Sequence, residues 1–312
     1  MLETPPSAYA DPSIARWDRS FFGHPLGLST LFFTEMWERF SYYGMRALLI
    51  LFMTASVQHG GLGFPTSKAG AVYGLYTATG YLLCLPGGWI ADRISGQRRA
   101  VLIGGIIIAL GHFAMAFPRI ETFYLGLALI VVGTGLLKPN VSTMVGSLYT
   151  EKDVRRDAGF SIFYMGINLG AFLAPLVCGY LGENINWHYG FAAAGVGMTI
   201  GLIQYLLGGK YLGVAGLYGR RSQADLRLFK RVLVGSVAAI AVGAGLSLSG
   251  LLPVSAEAFS NAFGVILTGV VVAFFGWLLT SKQYSAVERR RFWVIFVLFL
   301  AASLFWSAFE QA

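Results

Sequence analysis

FFTEMWERFSYYGMR, residues 32–46, heads an apolar stretch that continues through ALLILFMTASV to Val57. Two glutamates and two arginines thus sit in a segment otherwise suited to the inside of a bilayer. At about 100° per residue, Glu35, Glu38, Arg39, Tyr42 and Arg46 fall at i, i+3, i+4, i+7 and i+11 and share one helix face. The opposite face carries Phe33, Met36, Trp37, Phe40 and Leu48, which can meet lipid or other helices. Ionisable groups within a membrane span are tolerated where they face a bundle interior or a water-filled cavity, so the stripe must face inward. A glutamate within reach of an arginine in such a place is a proton switch. Charged, it pairs with the arginine; protonated, it releases the arginine to bind an anion.

The rest of the chain agrees with a polytopic membrane protein. It is 56% hydrophobic and 12% charged, and its apolar runs recur along the whole length. Nine stretches reach the ~20 residues a helical span needs: about 29–57, 68–91, 100–118, 122–145, 159–181, 189–208, 232–252, 262–280 and 292–312. Lipid offers no partner to backbone amides, so an all-α membrane protein is expected. The net charge of +8 does not require nucleic acid. With a cytoplasmic amino terminus, 18 of the 23 basic residues fall on the cytoplasmic side, against Lys68 and Arg119 outside and Arg39, Arg46 and Lys138 within spans. That asymmetry is the positive-inside pattern. Residues 1–22 contain no apolar run and read as a cytoplasmic tail. Cys84 and Cys178 lie in different spans without metal-like spacing and read as small packing residues.

Spans one to six (23–208) form an amino-terminal bundle. The basic stretch GRRSQADLRLFKRV, residues 219–232, marks a boundary, and 209–291 is a linker holding two bland extra helices. The basic stretch ERRR, residues 288–291, precedes one further span, 292–312. Glycines inside spans, among them Gly104, Gly105, Gly126, Gly133, Gly135, Gly195 and Gly197, let helix backbones approach or bend. Pro86 and Pro175, at matching depth in spans two and five, hint that spans one to three and four to six are repeats. Two further charges lie deep in spans: Lys138 in GTGLLKPN and Glu310 in FWSAFEQA. With Glu35, Glu38, Arg39 and Arg46 they make three acids and three bases, which pair among themselves or exchange with a zwitterion. In GGWIADRISGQRR, residues 87–99, Asp92 is placed to meet Arg98 or Arg99 as a latch at the cytoplasmic end of span two. No nucleophile–base pair, metal-spaced histidines or phosphate loop is present, so neither catalytic nor metal residues are assigned, and protons are the only co-reactant expected.

Glu35-x-x-Glu38-Arg39-Phe40-x-Tyr42-Tyr43-Gly44, FYMGINLG at 163–170, GGWIADRISGQRR, Lys138-Pro139 and Trp306-x-x-x-Glu310-Gln311 together resemble the signatures of the proton-dependent oligopeptide transporter family, within the major facilitator superfamily. The resemblance spans residues 35–311. It implies a major facilitator fold, with an amino-terminal six-helix bundle, two inserted helices and the start of a carboxy-terminal bundle. It also implies a bacterial inner-membrane symporter that imports di- and tripeptides with protons by alternating access, with short peptides and lipids as partners and an oligomeric state left open. Glu35, Glu38, Arg39 and Glu310 resemble its proton-coupling groups, and Arg39 and Lys138 the receivers of the peptide carboxylate. Tyr42, Tyr43, Arg46 and Tyr81 match pocket positions. Asn168 matches a polar contact to the peptide, Trp306 a side-chain pocket wall, and Glu310 the partner of Lys138. The chain departs from animal members, which have a histidine where Gly74 stands; His24, His59, His112 and His188 do not replace it, and His112 reads as a satisfied core residue. The family also has five more spans after the point where this sequence stops. A carrier for another small anion such as nitrate, or for a drug-like compound, is the alternative within the class; a membrane-embedded enzyme or a channel is the alternative outside it.

Overall fold

The computed structural model describes residues 15–217, 222–249 and 255–309. The chain divides into two compact units, Met1–Pro253 and Val254–Ala312. In the first, the elements are α1 (Gly27–Thr54), α2 (Thr66–Leu82), α3 (Cys84–Ile90), α4 (Gln97–Met115), α5 (Ile120–Ser147), α6 (Arg156–Ala174), α7 (Tyr180–Asn184), α8 (Trp187–Gly208) and α9 (Gln223–Leu248). The second contains α10 (Ala256–Thr280) and α11 (Ala286–Phe309). Within the first unit, Arg93 at the end of span two lies 3.8 Å from Asp225 of α9; within the second, Phe275 of α10 packs on Phe296 and Phe299 of α11 at 4.9 and 5.3 Å.

Six helices among the described residues are long and apolar enough to cross a membrane. The first expected span is one 28-residue helix, α1, which carries the four charges. The seventh is the 26-residue α9. The second expected span is broken. Pro86 has no N–H to offer the carbonyl of Leu82, and its ring crowds that carbonyl, so α2 ends at Leu82 and α3 restarts at Cys84. A π-helical turn, Ala91–Ser95, follows. Span five behaves alike: α6 ends at Ala174, and Pro175 opens a second π-helical turn, Pro175–Gly179, before α7.

Small residues set the helix spacing. Gly104 faces Gly133 and Gly111 faces Gly126, seven residues apart on each of the antiparallel α4 and α5; a Cβ at Gly104 would lie 2.7 Å from the Gly133 carbonyl oxygen. Across the bundle, α1 is gripped on two sides. Gly166 and Gly170 of α6 lie against Phe32 and Met36, and Gly197 and Gly201 of α8 against Phe40 and Trp37. Leu28, Leu31, Ile108, Leu137, Met144 and Met198 fill the core between these helices. Met36, Phe40 and Leu48 are therefore buried by neighbouring helices, while Phe33 is 37% exposed. Cys178 is buried and packs on Gly44. His112 is also buried, but neither ring nitrogen has a hydrogen-bond partner among the described residues, which corrects the expectation of a satisfied core histidine.

The segment ahead of α1 is tied to the turn between α5 and α6. His24 Nδ1 lies 2.9 Å from the Tyr149 hydroxyl. Arg155 bridges Asp18 at 3.2 Å and Asp153 at 2.8 Å, and donates to the Asp18 and Gly23 carbonyls. Burial pushes the His24 imidazole below its ordinary 6.5, and the Arg155 charge adds to this while Asp153 opposes it. Hydrogen bonds from Arg155 hold Asp153 below the usual carboxylate value. Both shifts mean that the unfolded segment binds protons more readily, so acid loosens the tie. The His24 contribution is complete above pH 6.5 and is lost as pH falls below it; that of Asp153 is lost only below 3.8. Between pH 7 and 5, amide hydrogen exchange of residues 15–26, corrected for intrinsic rates, should therefore rise in the wild type. It should lose that pH dependence in His24→Asn; equal slopes in both proteins would rule the tie out.

Candidate functional site

The charged face of α1 is enclosed by protein. Glu35, Glu38 and Arg39 are 3%, 1% and 4% exposed, because the glycines of α6 and α8 bring their helices onto the flanks of α1. Arg39 Nε lies 3.0 Å from Glu35 Oε1 and 2.5 Å from Glu38 Oε2. These are ion pairs without aligned hydrogen bonds. Arg39 Nε and Nη2, Glu35 Oε2 and Glu38 Oε2 have no hydrogen-bond partner among the described residues. Two carboxylates on one guanidinium leave the trio one negative charge in excess when all are ionised, which favours a proton or a further cation nearby. Lys138 lines a recess with Tyr42, the residue whose ring the Arg39 guanidinium faces.

From this trio, aromatic rings lead to the other cations. The Arg39 guanidinium sits 5.1 Å from the Tyr42 ring centre, and Arg46 lies 5.9 Å from Tyr42 and 5.5 Å from Tyr73. Arg46 Nε donates to the Tyr73 hydroxyl. Tyr43 meets Tyr42 edge-on at 5.2 Å, and Tyr76 stacks on Tyr42 at 6.4 Å. Lys138 Nζ lies 4.2 Å from the Tyr81 ring centre. A recess between α2 and α5 is lined by Tyr42, Tyr76, Thr77, Tyr81, Thr134 and Lys138. The structure thus brings together Glu35, Glu38, Arg39, Tyr42, Tyr43, Arg46, Tyr81 and Lys138 of the expected set.

Asn168 of α6 is exposed and donates to the Tyr164 carbonyl of its own helix. Trp306 belongs to the second unit, where it meets Phe305 and Phe309 edge-on at 5.5 and 5.4 Å. Glu310 lies outside the described residues. Asp92 accepts from Gln97 at 3.4 Å, while Arg98 donates to the carbonyls of Ala215 and Gly213. The cause is backbone geometry: Gly96, at φ 78°, turns the chain into α4 with the Arg98 amide bonded to the Gly216 carbonyl, aiming Arg98 at that loop. Tyr73, Tyr76 and Thr77 were not anticipated. Their signal is present in VYGLYTATGY, where 73, 76, 77 and 81 share one helical face. Among the described residues no cluster of metal-ligating side chains occurs.

The family model for the POT family matches residues 98–312. The chain belongs to the POT family. These are the proton-dependent oligopeptide transporters, and the α-helical bundle is of the major facilitator type. Among relatives, an uncharacterised transporter of Bacillus subtilis, YclF, is 46% identical over 94% of this chain and 59% of its own length. The peptide transporter YePEPT of Yersinia enterocolitica is 42% identical, over 94% of this chain and 59% of its own. A crystal structure of a POT peptide transporter in complex with sulfate superposes with a TM-score of 0.89, at 44% identity, covering 96% of this chain and 62% of that one. A POT family transporter in complex with a thioalcohol-conjugated peptide gives 0.88 at 39% identity, covering 94% and 61%. The chain therefore spans about three fifths of the length of these POT proteins.

Removing the central cation tests whether the trio acts as one unit. Arg39→Ala leaves two buried carboxylates facing each other and should lower stability by about 3–5 kcal/mol. Replacing all three together, Glu35→Leu, Glu38→Leu and Arg39→Met, should recover most of that loss, read as the unfolding temperature in lipid. Equal stability of Arg39→Ala and wild type would show that the three charges are independent.

Proposed function

We propose that this chain carries the proton-coupling and carboxylate-binding half of a symporter that imports di- and tripeptides by alternating access. The observation that carries the reading is the buried trio itself: two carboxylates share one guanidinium within an otherwise apolar span, and Arg39 faces Tyr42, which lines a recess with Lys138. A proton arriving at Glu35 or Glu38 removes one of the two charges holding Arg39. The guanidinium then has donors to offer an incoming carboxylate, and Lys138 supplies a second positive charge beside it. When the carboxylate leaves, the glutamate recovers Arg39 by losing its proton to the other side. Peptide and proton so become thermodynamically linked.

Tyr42, Tyr43, Arg46 and Tyr81 are proposed to line the peptide site, with Asn168, Trp306 and Glu310 completing it. Aromatic faces accept varied side chains, while the cations fix one end of the substrate. The named substrates of the relatives support this choice: one is a peptide transporter, another a di-/tripeptide transporter of Lactococcus lactis, and a solved neighbour holds a conjugated peptide. Asp92, Arg98 and Arg99 are proposed to lock one arm of the rocking cycle, Arg98 through the Gly213–Ala215 loop in the conformation described above. Basic residues in the 152–156 and 210–231 stretches favour an inner-membrane protein with a cytoplasmic amino terminus.

Uptake of a labelled dipeptide by the full-length protein in proteoliposomes, with and without an inward proton gradient, tests the reading. Wild type should concentrate the peptide with the gradient. Glu35→Gln should lose at least about tenfold of gradient-driven uptake while keeping counterflow, and Lys138→Ala should lose both. Folded protein that moves no peptide at any pH would sink the assignment. Orientation is tested separately: a cysteine at Lys152 should be labelled only from the cytoplasm and one at Lys68 only from outside, and the reverse pattern would invert the topology.

A further inference from the structure

The recess beside Lys138 holds a polar atom that the residues assigned so far leave unused. The Thr77 hydroxyl oxygen is buried and has no hydrogen-bond partner among the described residues. This is unusual for a threonine inside a helix, whose hydroxyl readily returns to the carbonyl four residues back. Thr34, Thr54, Thr143 and Thr199 all do so, at 2.6, 2.9, 2.8 and 2.8 Å. For Thr77 that carbonyl would be Tyr73, and the bond is not made. The Thr77 side chain instead lines the recess together with Thr134 and Lys138.

Thr77 lies four residues before Tyr81 on α2, and Thr134 lies four before Lys138 on α5, so each threonine sits one turn from its partner on the same helix face. The Lys138–Tyr81 contact spans the two helices at 4.2 Å; one turn away on each helix, Thr77 and Thr134 line the same recess. A ring face balances the ammonium charge but accepts no conventional hydrogen bond from it, whereas a hydroxyl both donates and accepts. A buried hydroxyl without a partner is costly, and the cost disappears when an oxygen ligand supplies one.

Building on the peptide reading above, we propose that Thr77 and Thr134 complete an oxyanion site with Lys138, in which the threonine hydroxyls donate to one carboxylate oxygen of the substrate while Lys138 supplies the charge. The hydroxyls make the site selective for a carboxylate over a carboxamide. A carboxylate oxygen accepts from both hydroxyls and the ammonium at once. A terminal amide carries a weaker acceptor and two donors that face an ammonium.

Competition for dipeptide uptake by the full-length transporter tests this, using one dipeptide as its free acid and as its carboxy-terminal amide. Thr77→Val, which keeps the shape and deletes the hydroxyl, should reduce the acid-over-amide preference about tenfold by weakening the acid selectively, the scale of a hydrogen bond to a charged group. Thr77→Ser should keep the wild-type preference, and Thr134→Val should act in the direction of Thr77→Val. A Thr77→Val protein with the wild-type ratio, or one that weakens acid and amide equally, overturns the inference and leaves the hydroxyl a packing feature. A wild type that recognises neither compound overturns the peptide reading beneath it, a result distinct from both.

Discussion

A guanidinium held between two carboxylates in the middle of a membrane-spanning helix is the constraint that organises this molecule. Each of the three groups would lose several kcal/mol if taken from water alone, so Arg39, Glu35 and Glu38 are tolerable together and not singly. Their ion pairs at 3.0 and 2.5 Å settle the charge, yet four of their nitrogen and oxygen atoms lack hydrogen-bond partners among the described residues. Such a group is poised. It gains when a proton or an anion changes the count, and a purely structural ion pair would be expected to satisfy more of its atoms.

The rest of the first unit keeps water from that trio, with the Tyr42 ring 5.1 Å from the Arg39 guanidinium. Glycines do most of this by allowing backbone contact: Gly170 beside Met36 and Arg39, and Gly197 beside Phe40 and Trp37, bring α6 and α8 against α1. The prolines act on the opposite problem. Where Pro86 and Pro175 interrupt their spans, the backbone leaves the regular helical ladder and passes through a π-helical turn. Pro139 is accommodated differently: α5 stays continuous across it, the Asn140 side chain bonds the Leu136 carbonyl at 2.7 Å, and Gly87 lies against the Gly135 carbonyl that Pro139 leaves without its N–H donor.

Much of the site could be read from spacing alone because an α-helix converts sequence intervals into faces. Glu35, Glu38, Arg39, Tyr42 and Arg46 had to share a face, and the cost of burying their charges had to turn that face inward. Tyr73, Tyr76 and Thr77 obey the same interval rule but carry no formal charge. Without an energetic penalty to orient them, their face was indistinguishable from an interfacial aromatic face until α2 was seen packed beside Tyr42. The destination of Arg98 was hidden for another reason: Gly96 at positive φ sends it to the carbonyls of a loop more than a hundred residues away, which local electrostatics could not reveal.

By itself, then, the sequence determined the all-helical membrane character, the approximate placement of the long apolar helices, and which side of α1 must be buried. These follow from hydrocarbon thickness, backbone hydrogen bonding and the cost of exposing charge to lipid, all of which act through composition and local periodicity. The tertiary structure decided that both glutamates converge on a single arginine nitrogen, that Lys138 lies over Tyr81, and that the Thr77 hydroxyl is buried without a hydrogen-bond partner among the described residues. Those outcomes depend on how closely non-neighbouring helices approach and on which rotamers the resulting spaces permit, and neither quantity is written in any one segment.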